Sequence, residues 1–182
     1  MSYDNMDKWM EYKGKEFLQD IGLKREHIAL DFGCRHGTYT IPASLVVDRK
    51  GIVYAVDKNK KSLKELVLKV KEKEIKNIKI LDSAEKTKIL LPDESVDFVL
   101  LYDVLHLIEN RERLLLEIYR ILKPNGILSL YPKHYQTHMK VNLVELRQEV
   151  ESVGFDFDVK LFKSLMHDDK LEEGYVLNFK KN

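Results

Sequence analysis

Short apolar runs alternate along this chain with stretches that carry apolar residues at helical spacing. Five such runs predict buried strands, at Ile28–Gly33, Gly51–Asp57, Asn77–Leu81, Val96–Tyr102 and Gly126–Tyr131. The helical spacing predicts three helices between them, at Thr38–Val47, Ser62–Glu74 and Arg111–Leu122. Strands that alternate with helices form βαβ units, so this order predicts a parallel sheet with helices on both faces.

The two ends of the chain follow a different pattern. The first 27 residues predict a helix and its connection, held by Trp9 and Phe17. Near the other end, Asn142 with Glu145 three residues later predicts the start of a last helix, because both side chains can satisfy free backbone N–H groups there.

The tail predicts two more strands, Phe155–Phe162 and Gly174–Phe179, linked by the polar segment Lys163–Glu173. With no helix between them, they are expected to form an antiparallel hairpin at one edge of the sheet. The fold expected is therefore α/β, doubly wound and Rossmann-like, with a mostly parallel seven-stranded sheet. The expected division is an N-terminal helical segment, residues 1–27, acting as lid or packing helix, and one domain over residues 28–182.

Composition narrows the class of protein. The 182 residues suit one domain, and 31 Lys and Arg balance 30 Asp and Glu, so no overall field attracts nucleic acid or acidic membranes. Between Arg49 and Lys79, eleven basic residues outnumber four acids. Without interleaved aromatic residues for base stacking, this excess is interpreted as a solvated helix face.

The apolar runs also bear on location. The start of the chain is polar, and every apolar run is shorter than the roughly 20 residues of a membrane span, so a cytoplasmic protein outside the membrane is expected. The single cysteine, Cys34, excludes an internal disulfide framework and a zinc site of several thiolates. No metal site is expected.

Candidate chemistry lies where the strands end, because ligands of open α/β sheets bind at the carboxyl ends of the strands. The first strand leads into a loop with Gly33 and Gly37. These glycines either let the backbone come close to a ligand or belong to an ordinary turn. Asp57 ends the second strand and could accept two ribose hydroxyls, or it could be a solvated charge beside Lys58. After the third strand, polar side chains and backbone amides around Ser83 could contact an adenine edge.

Five segments in order resemble class I S-adenosylmethionine-dependent methyltransferases, especially the small-molecule branch related to quinone biosynthesis. They are Ala29–Cys34 followed by Gly37, then Asp57, Leu91–Val99, Val104–His106 and Leu122–Gly126. The resemblance implies S-adenosylmethionine as cofactor, a small-molecule acceptor and direct displacement of the methyl group. The implied cofactor residues are Asp31, Gly33, Cys34, Arg35, Gly37, Asp57, Lys58, Ser83, Ala84 and Tyr102.

Arg35 departs from the family pattern, because it stands where the family loop usually has its middle glycine. Three outcomes are open: a negative φ with the side chain in solvent, contact with the cofactor's carboxylate, or weakened cofactor binding. The last outcome motivates an alternative function, a methyltransferase-fold scaffold that binds a partner without catalysis. A dinucleotide site is disfavoured because the loop lacks the G-x-G-x-x-G spacing, whereas a Rossmann-type site for a different nucleotide stays open.

A general base is needed only if the acceptor must lose a proton, and His106, His134 and Tyr102 are the candidates. Each histidine could equally be structural. The chain leaves no room for a separate substrate domain, so we expect a small acceptor, or closure of the site by a partner subunit such as a second copy. The acceptor and the methylated atom stay open.

Overall fold

The computed structural model describes residues 2–81, 88–137 and 142–182. Seven strands form one sheet: β1 Ile28–Phe32, β2 Ile52–Val56, β3 Ile78–Ile80, β4 Val96–Tyr102, β5 Leu122–Tyr131, β6 Phe155–His167 and β7 Lys170–Lys181. The α-helices are α1 Ser2–Lys8, α2 Gly14–Asp20, α3 Thr40–Val47, α4 Lys60–Glu72, α5 Arg111–Ile121, α6 Lys133–Thr137 and α7 Leu143–Ser152. A π-helical turn, Trp9–Lys13, joins α1 to α2, and a 3₁₀ turn covers Leu105–Leu107.

The strand order is β3-β2-β1-β4-β5-β7-β6. Strands β1 to β5 are parallel, whereas β7 runs antiparallel to both β5 and β6. The chain builds outward from β1 through β2 to β3, then returns to place β4 on the other side of β1. The expected doubly wound α/β sheet with an antiparallel edge hairpin is therefore confirmed.

The core lies on both faces of this sheet, because successive side chains of a strand point to opposite sides. In β1, Leu30 packs into one cluster with the α5 residues Leu114 and Ile118. Its neighbour Ala29 packs into the opposite cluster with Trp9 and Leu18 of the N-terminal helices. All are nearly or wholly buried.

The N-terminal helices pack against the sheet through aromatic residues. Trp9 is 1% exposed, and its indole N–H donates to the carbonyl of Thr38 at 2.8 Å. A Cβ on Gly14 would lie 2.8 Å from Cγ of Pro42, so α2 approaches α3 as closely as a glycine permits. This contact attaches the N-terminal segment to the loop and helix that follow β1.

The closing hairpin is longer than expected. The polar segment Lys163–Glu173, expected as a linker, is itself mostly strand, and the connection shrinks to Asp168 and Asp169. Both residues have positive φ, 45° and 61°, as in the turns whose twist matches a two-residue hairpin. The linker prediction failed because backbone pairing, which polar residues make as well as apolar ones, continues to the tip.

Two smaller features concern helix and strand ends. The side chain of Asn142 accepts the N–H groups of Val144 and Glu145 at 2.9 and 3.0 Å, which confirms the predicted helix start. Residues Lys123–Gly126 lie within β5, where the pairing with β4 shifts register and Asn125 takes a φ of 63°.

Within the described ranges, no helix is both long and apolar enough to cross a membrane.

We expect Trp9→Ala to lower the free energy of unfolding by about 3–5 kcal/mol, because a large buried side chain and its hydrogen bond are lost. Tyr12→Ala, in the same π-helical turn but with Tyr12 42% exposed, should change it by only about 0.5 kcal/mol. Urea unfolding followed by circular dichroism measures both. Equal effects of the two substitutions would show that the aromatic contact does not anchor this segment.

Candidate functional site

A cavity of about 530 Å³ opens where the strand order reverses between β1 and β4. Its walls come from the loops after β1, β2 and β4 and from the tip of the β6–β7 hairpin. The lining residues include Asp31, Gly33, Cys34, Arg35, Asp57, Lys58, Tyr102, Asp103, Val104, Tyr131, His167 and Asp168. This volume is in the range usual for small-molecule sites.

The loop after β1 needs its glycines for two different close contacts. Gly33 has a φ of 85°, and a Cβ there would lie 2.2 Å from Cγ2 of Val104, in the loop after β4. Gly37 has a φ of 92°, and a Cβ there would lie 2.5 Å from Cδ1 of Leu66 in α4. Gly33 therefore lets two ligand-side loops meet, whereas Gly37 packs the loop against α4 and does not line the cavity.

The structure excludes one of the three outcomes that were open for Arg35. Its φ is 47°, so it adopts the left-handed backbone typical of glycine, and the outcome with a negative φ does not occur. Its guanidinium donates to Asp168 at the hairpin tip at 2.6 Å. Because both side chains are more than 60% exposed, we expect this ion pair to contribute at most about 1 kcal/mol to the free energy of unfolding. The Arg35 contact lowers the pKa of Asp168.

Asp57 holds the two loops at the ends of β1 and β2 together. Its carboxylate accepts the N–H of Arg35 at 2.8 Å and the N–H of Asn59 at 2.7 Å. Asn59 in turn caps α4 by accepting the N–H groups of Lys61 and Ser62. The side chain is thus fixed at the cavity wall by the backbone around it.

Burial determines the charge states deeper in the site. Asp31 accepts the hydroxyl of Thr40 at 2.6 Å, and burial, with a smaller contribution from Asp57, raises its pKa to about 7. Burial also raises the pKa of the Cys34 thiol far above its usual value. Cys34 is therefore poorly suited to act as a nucleophile.

Tyr102 forms part of an aromatic wall and not an exposed base. Its hydroxyl pairs with that of Ser129 at 2.9 Å, and its ring lies 4.8 Å from that of Tyr39, centroid to centroid. Burial raises the pKa of Tyr102 well above its ordinary value, so the phenol stays protonated.

Three histidines surround the carboxylate of Asp103, just beyond Tyr102. Nδ1 of His134 lies 2.6 Å from Oδ1 of Asp103, and Nδ1 of His106 lies 3.6 Å from the same oxygen. On the other side, Nε2 of His167 lies 2.7 Å from Oδ2 of Asp103. Asp103 itself has a φ of 52°, a conformation that costs energy in most residues but is more common for Asp.

The three histidines come from different parts of the fold. His106 follows Asp103 by one 3₁₀ turn, His134 begins the chain segment after β5, and His167 ends β6. Burial lowers the pKa of His106. Asp103 and His167 line the cavity, and this joins the cluster to the same site as the glycine loop.

The structure thus brings most of the expected residues to one cavity. His106 and His134 stand behind Asp103 and do not line it directly, while Ser83 and Ala84 lie outside the described residues. Sequence reasoning missed Asp103, although its spacing of three residues from His106 was a usable signal. It also missed His167 and Asp168, for which the polar segment gave no signal.

The sheet is open and reverses its strand order between β1 and β4, with a glycine loop and an acidic residue at the point where doubly wound folds bind their ligands. The sequence model of a protein family described as a methyltransferase domain matches residues 30–130 of this chain. The chain belongs to this methyltransferase family.

Curated relatives indicate which branch the chain resembles. The demethylmenaquinone methyltransferase of Geobacillus sp. (strain WCH70) is 29% identical over 129 residues, which are 68% of this chain and 55% of the relative. The enzyme of the same name from Lactobacillus johnsonii is 27% identical over 71% of this chain and 53% of its own length. The chain therefore spans about half the length of the curated relatives it matches.

A solved structure agrees with the fold along nearly the whole chain. A SAM-dependent methyltransferase from Aquifex aeolicus has a TM-score of 0.74 and 25% identity, covering 95% of this chain and 90% of that one. A SAM-dependent methyltransferase of Methanosarcina mazei has a TM-score of 0.72 at 17% identity, covering 90% and 96%, and shows the fold alone. The family match and the similarity to the Aquifex aeolicus structure imply S-adenosylmethionine as the cofactor.

The residues present fit that cofactor. Gly33 lies in the cavity wall, and its lack of a side chain lets the loops after β1 and β4 meet there at Val104. Asp57 offers a carboxylate at the end of β2, suited to paired hydroxyl donors. Apolar side chains also line the cavity, as a site for an adenine ring needs. They are those of Phe32, Val56, Val104, Leu107 and Ile108.

We expect Gly33→Ala to destabilise the chain more than Gly22→Ala. Both glycines have positive φ, which costs an alanine about 1–2 kcal/mol, but a Cβ on Gly22 would meet its nearest atom at an ordinary 3.5 Å. The clash with Val104 should add about 1–3 kcal/mol at Gly33.

Chemical denaturation of the two variants measures this difference, and adding Val104→Ala to Gly33→Ala should recover part of the loss. If the two glycine variants unfold alike and Val104→Ala recovers nothing, the loops do not meet at Gly33.

Proposed function

We propose that this protein transfers a methyl group from S-adenosylmethionine to a small-molecule acceptor. One observation carries the proposal: the loop of Gly33 and Arg35 with Asp57 lines the same cavity as Asp103 and His167, and Asp103 contacts the other two histidines. One part suits an adenosyl ligand, and the other offers groups that can accept or hold a proton. Their juxtaposition is what methyl transfer to a protonated acceptor requires.

The proposed cofactor contacts divide among the strand ends. The Asp57 carboxylate binds the ribose hydroxyls, and the bare backbone at Gly33 permits close approach of the cofactor. The remaining residues assigned to cofactor binding are Asp31, Cys34, Arg35, Gly37, Lys58, Ser83, Ala84 and Tyr102. Gly37 serves indirectly in this scheme, because it shapes the loop and does not line the cavity.

When bound, the cofactor supplies a methyl group on a sulfonium, whose C–S bond breaks with its electron pair going to sulfur as the acceptor attacks the methyl carbon. This chain's residues orient the acceptor and exclude water. We assign removal of the acceptor's proton to His134, which does not itself line the cavity but pairs with Asp103, which does. Asp103 orients its ring through Nδ1, which leaves Nε2 as the basic atom.

His106 lies against His134 with ring centroids 4.2 Å apart, so it supports the position of that ring. Tyr102 is the weakest of the three candidate bases, because its phenol is buried and stays protonated. We assign it to the cavity wall beside the cofactor. The catalytic assignment therefore rests on the Asp103–histidine cluster.

We propose a demethylated quinol as the first acceptor to test, because both relatives compared are named for demethylmenaquinone. We assign residues 1–27 as a packing helix, since Trp9 and Gly14 attach it to the body of residues 28–182. The hairpin tip of the same chain covers the glycine loop through Arg35. Closure of the site therefore does not require a second copy of the chain.

A scaffold without catalysis is the alternative function. It was motivated by Arg35, but Arg35 keeps the left-handed backbone that the loop needs and leaves the cavity formed. The geometry therefore favours a cofactor-binding chain.

We expect Asp57→Asn to weaken binding of S-adenosylhomocysteine by about tenfold or more, because a charge-assisted hydrogen bond is worth about 1.5–3 kcal/mol. Isothermal titration calorimetry measures the affinity. The matched control is Asp48→Asn, since Asp48 has a half-exposed side chain and follows α3, at the amino-terminal ends of the strands and away from the cavity.

The control should bind as the natural chain does. Equal affinity of the natural and Asp57→Asn chains would refute the ribose assignment. Binding of neither S-adenosylmethionine nor S-adenosylhomocysteine to the natural chain would refute the proposed function as a whole.

We expect His134→Gln to lower kcat by about 10²–10⁴-fold in transfer of a labelled methyl group to a demethylated naphthoquinol, because the base is lost. The affinity for S-adenosylhomocysteine should be unchanged. The control is His27→Gln, which should keep full activity. His27 directly precedes β1, at the amino-terminal ends of the strands and away from the cavity. Unchanged kcat in His134→Gln would remove His134 from the mechanism.

A further inference from the structure

We propose that Asp103, His106 and His134 bind a divalent transition-metal ion at the acceptor end of the cavity. One ligand atom from each residue lies within 4.8 Å of the other two. The side chains of Asp103 and His106 are 16% and 17% exposed, so the site is shielded yet reachable from the cavity. The cluster combines residues of the β4 loop with one from the segment after β5.

The donor set indicates the kind of ion. Two imidazole nitrogens and one carboxylate oxygen suit Zn²⁺, Fe²⁺ or Co²⁺, whereas Mg²⁺ and Ca²⁺ prefer oxygen ligands alone. Three protein ligands also leave coordination positions for water or a substrate, as in catalytic zinc sites. The geometry therefore fits a working site better than a closed structural one.

Ion binding requires one small rearrangement. Nδ1 of His134 now lies at hydrogen-bond distance from Asp103, 2.6 Å. Neighbouring ligand atoms of a tetrahedral zinc ion lie roughly 3.4 Å apart. Nδ1 of His134 and Oδ1 of Asp103 must therefore move apart by about 0.8 Å. His134 has room to move because its side chain is 38% exposed. The ion would replace the proton that joins the two groups, since metal binding releases protons.

His167 acts as a positioning residue for this site. Its Nε2 contacts Oδ2 of Asp103 at 2.7 Å, leaving Oδ1 facing the other two histidines. Its Nδ1 lies 3.2 Å from Nζ of Lys133 and 3.5 Å from Oε1 of Glu172, and these two side chains form an ion pair. Such outer contacts fix the orientation of first ligands in metal sites.

The ion would select an acceptor that binds through an ionisable hydroxyl oxygen, a use of the site that rests on the proposed methyl transfer. The hydroxyl oxygen would bind an open position on the ion and lose its proton to solvent. It would then form the new bond to the methyl carbon while the C–S bond breaks and sulfur keeps the electron pair. With the ion bound, His134 serves as a ligand and not as the base.

The experiment measures ion binding without any cofactor or acceptor. The full chain, stripped with a chelator, is titrated with Zn²⁺ in a calorimeter and with Co²⁺ under visible spectroscopy. One ion should bind per chain, with Co²⁺ bands of low coordination number. His106→Ala and His134→Ala should each weaken Zn²⁺ binding by about tenfold or more, whereas His27→Ala should not. Circular dichroism checks that each variant is folded.

Binding of Zn²⁺ with equal affinity to all three variants would place the ion elsewhere and overturn the proposal. A natural chain that binds S-adenosylhomocysteine but no Zn²⁺ would overturn the metal site and leave the proposed function standing. A chain that binds Zn²⁺ through these histidines but no adenosyl ligand would support the metal site while refuting methyl transfer.

Discussion

The sheet grows from β1 in two directions, to β2 and β3 on one side and to β4 and β5 on the other. Loops that leave neighbouring strands toward opposite faces separate at this reversal, and the space between them becomes the cavity. The loops after β1 and β4 still touch at Gly33, because only a residue without a side chain fits against Val104. Every group assigned to function depends on this single constraint of topology.

Three carboxylates, each at the end of a different strand, make different contacts. Asp31 is buried and holds Thr40, Asp57 ties together the loops after β1 and β2, and Asp103 gathers the histidines. Their environments differ: burial raises the pKa of Asp31 to about 7, whereas Asp57 accepts two backbone N–H groups. The same residue type therefore serves as a buried hydrogen-bond acceptor, a link between two loops and the centre of a polar cluster.

The hairpin at the sheet edge has a second function beyond closing the sheet. Its length brings Asp168 over the glycine loop to Arg35, and it delivers His167 to Asp103. Tyr39 donates to the carbonyl of Met166, which fastens the hairpin tip to the helix after the glycine loop. Arg35 thus keeps a glycine-like backbone while its side chain contacts the turn, and the departure from the family pattern becomes part of the site's wall.

The sequence by itself determined the order of strands and helices, the antiparallel edge and the glycine loop with Asp57, because these depend on local spacing and on neighbours along the chain. It did not reveal the length of the hairpin, because backbone pairing continues through a polar segment, and it did not reveal the φ of Arg35, because a loop backbone carries no hydrophobic pattern. Only the tertiary structure brought His167 and His134 to Asp103, from positions 64 and 31 residues away in the chain. Such a cluster has no periodicity to detect, because its members become neighbours only when separate strands end at the same edge of the sheet.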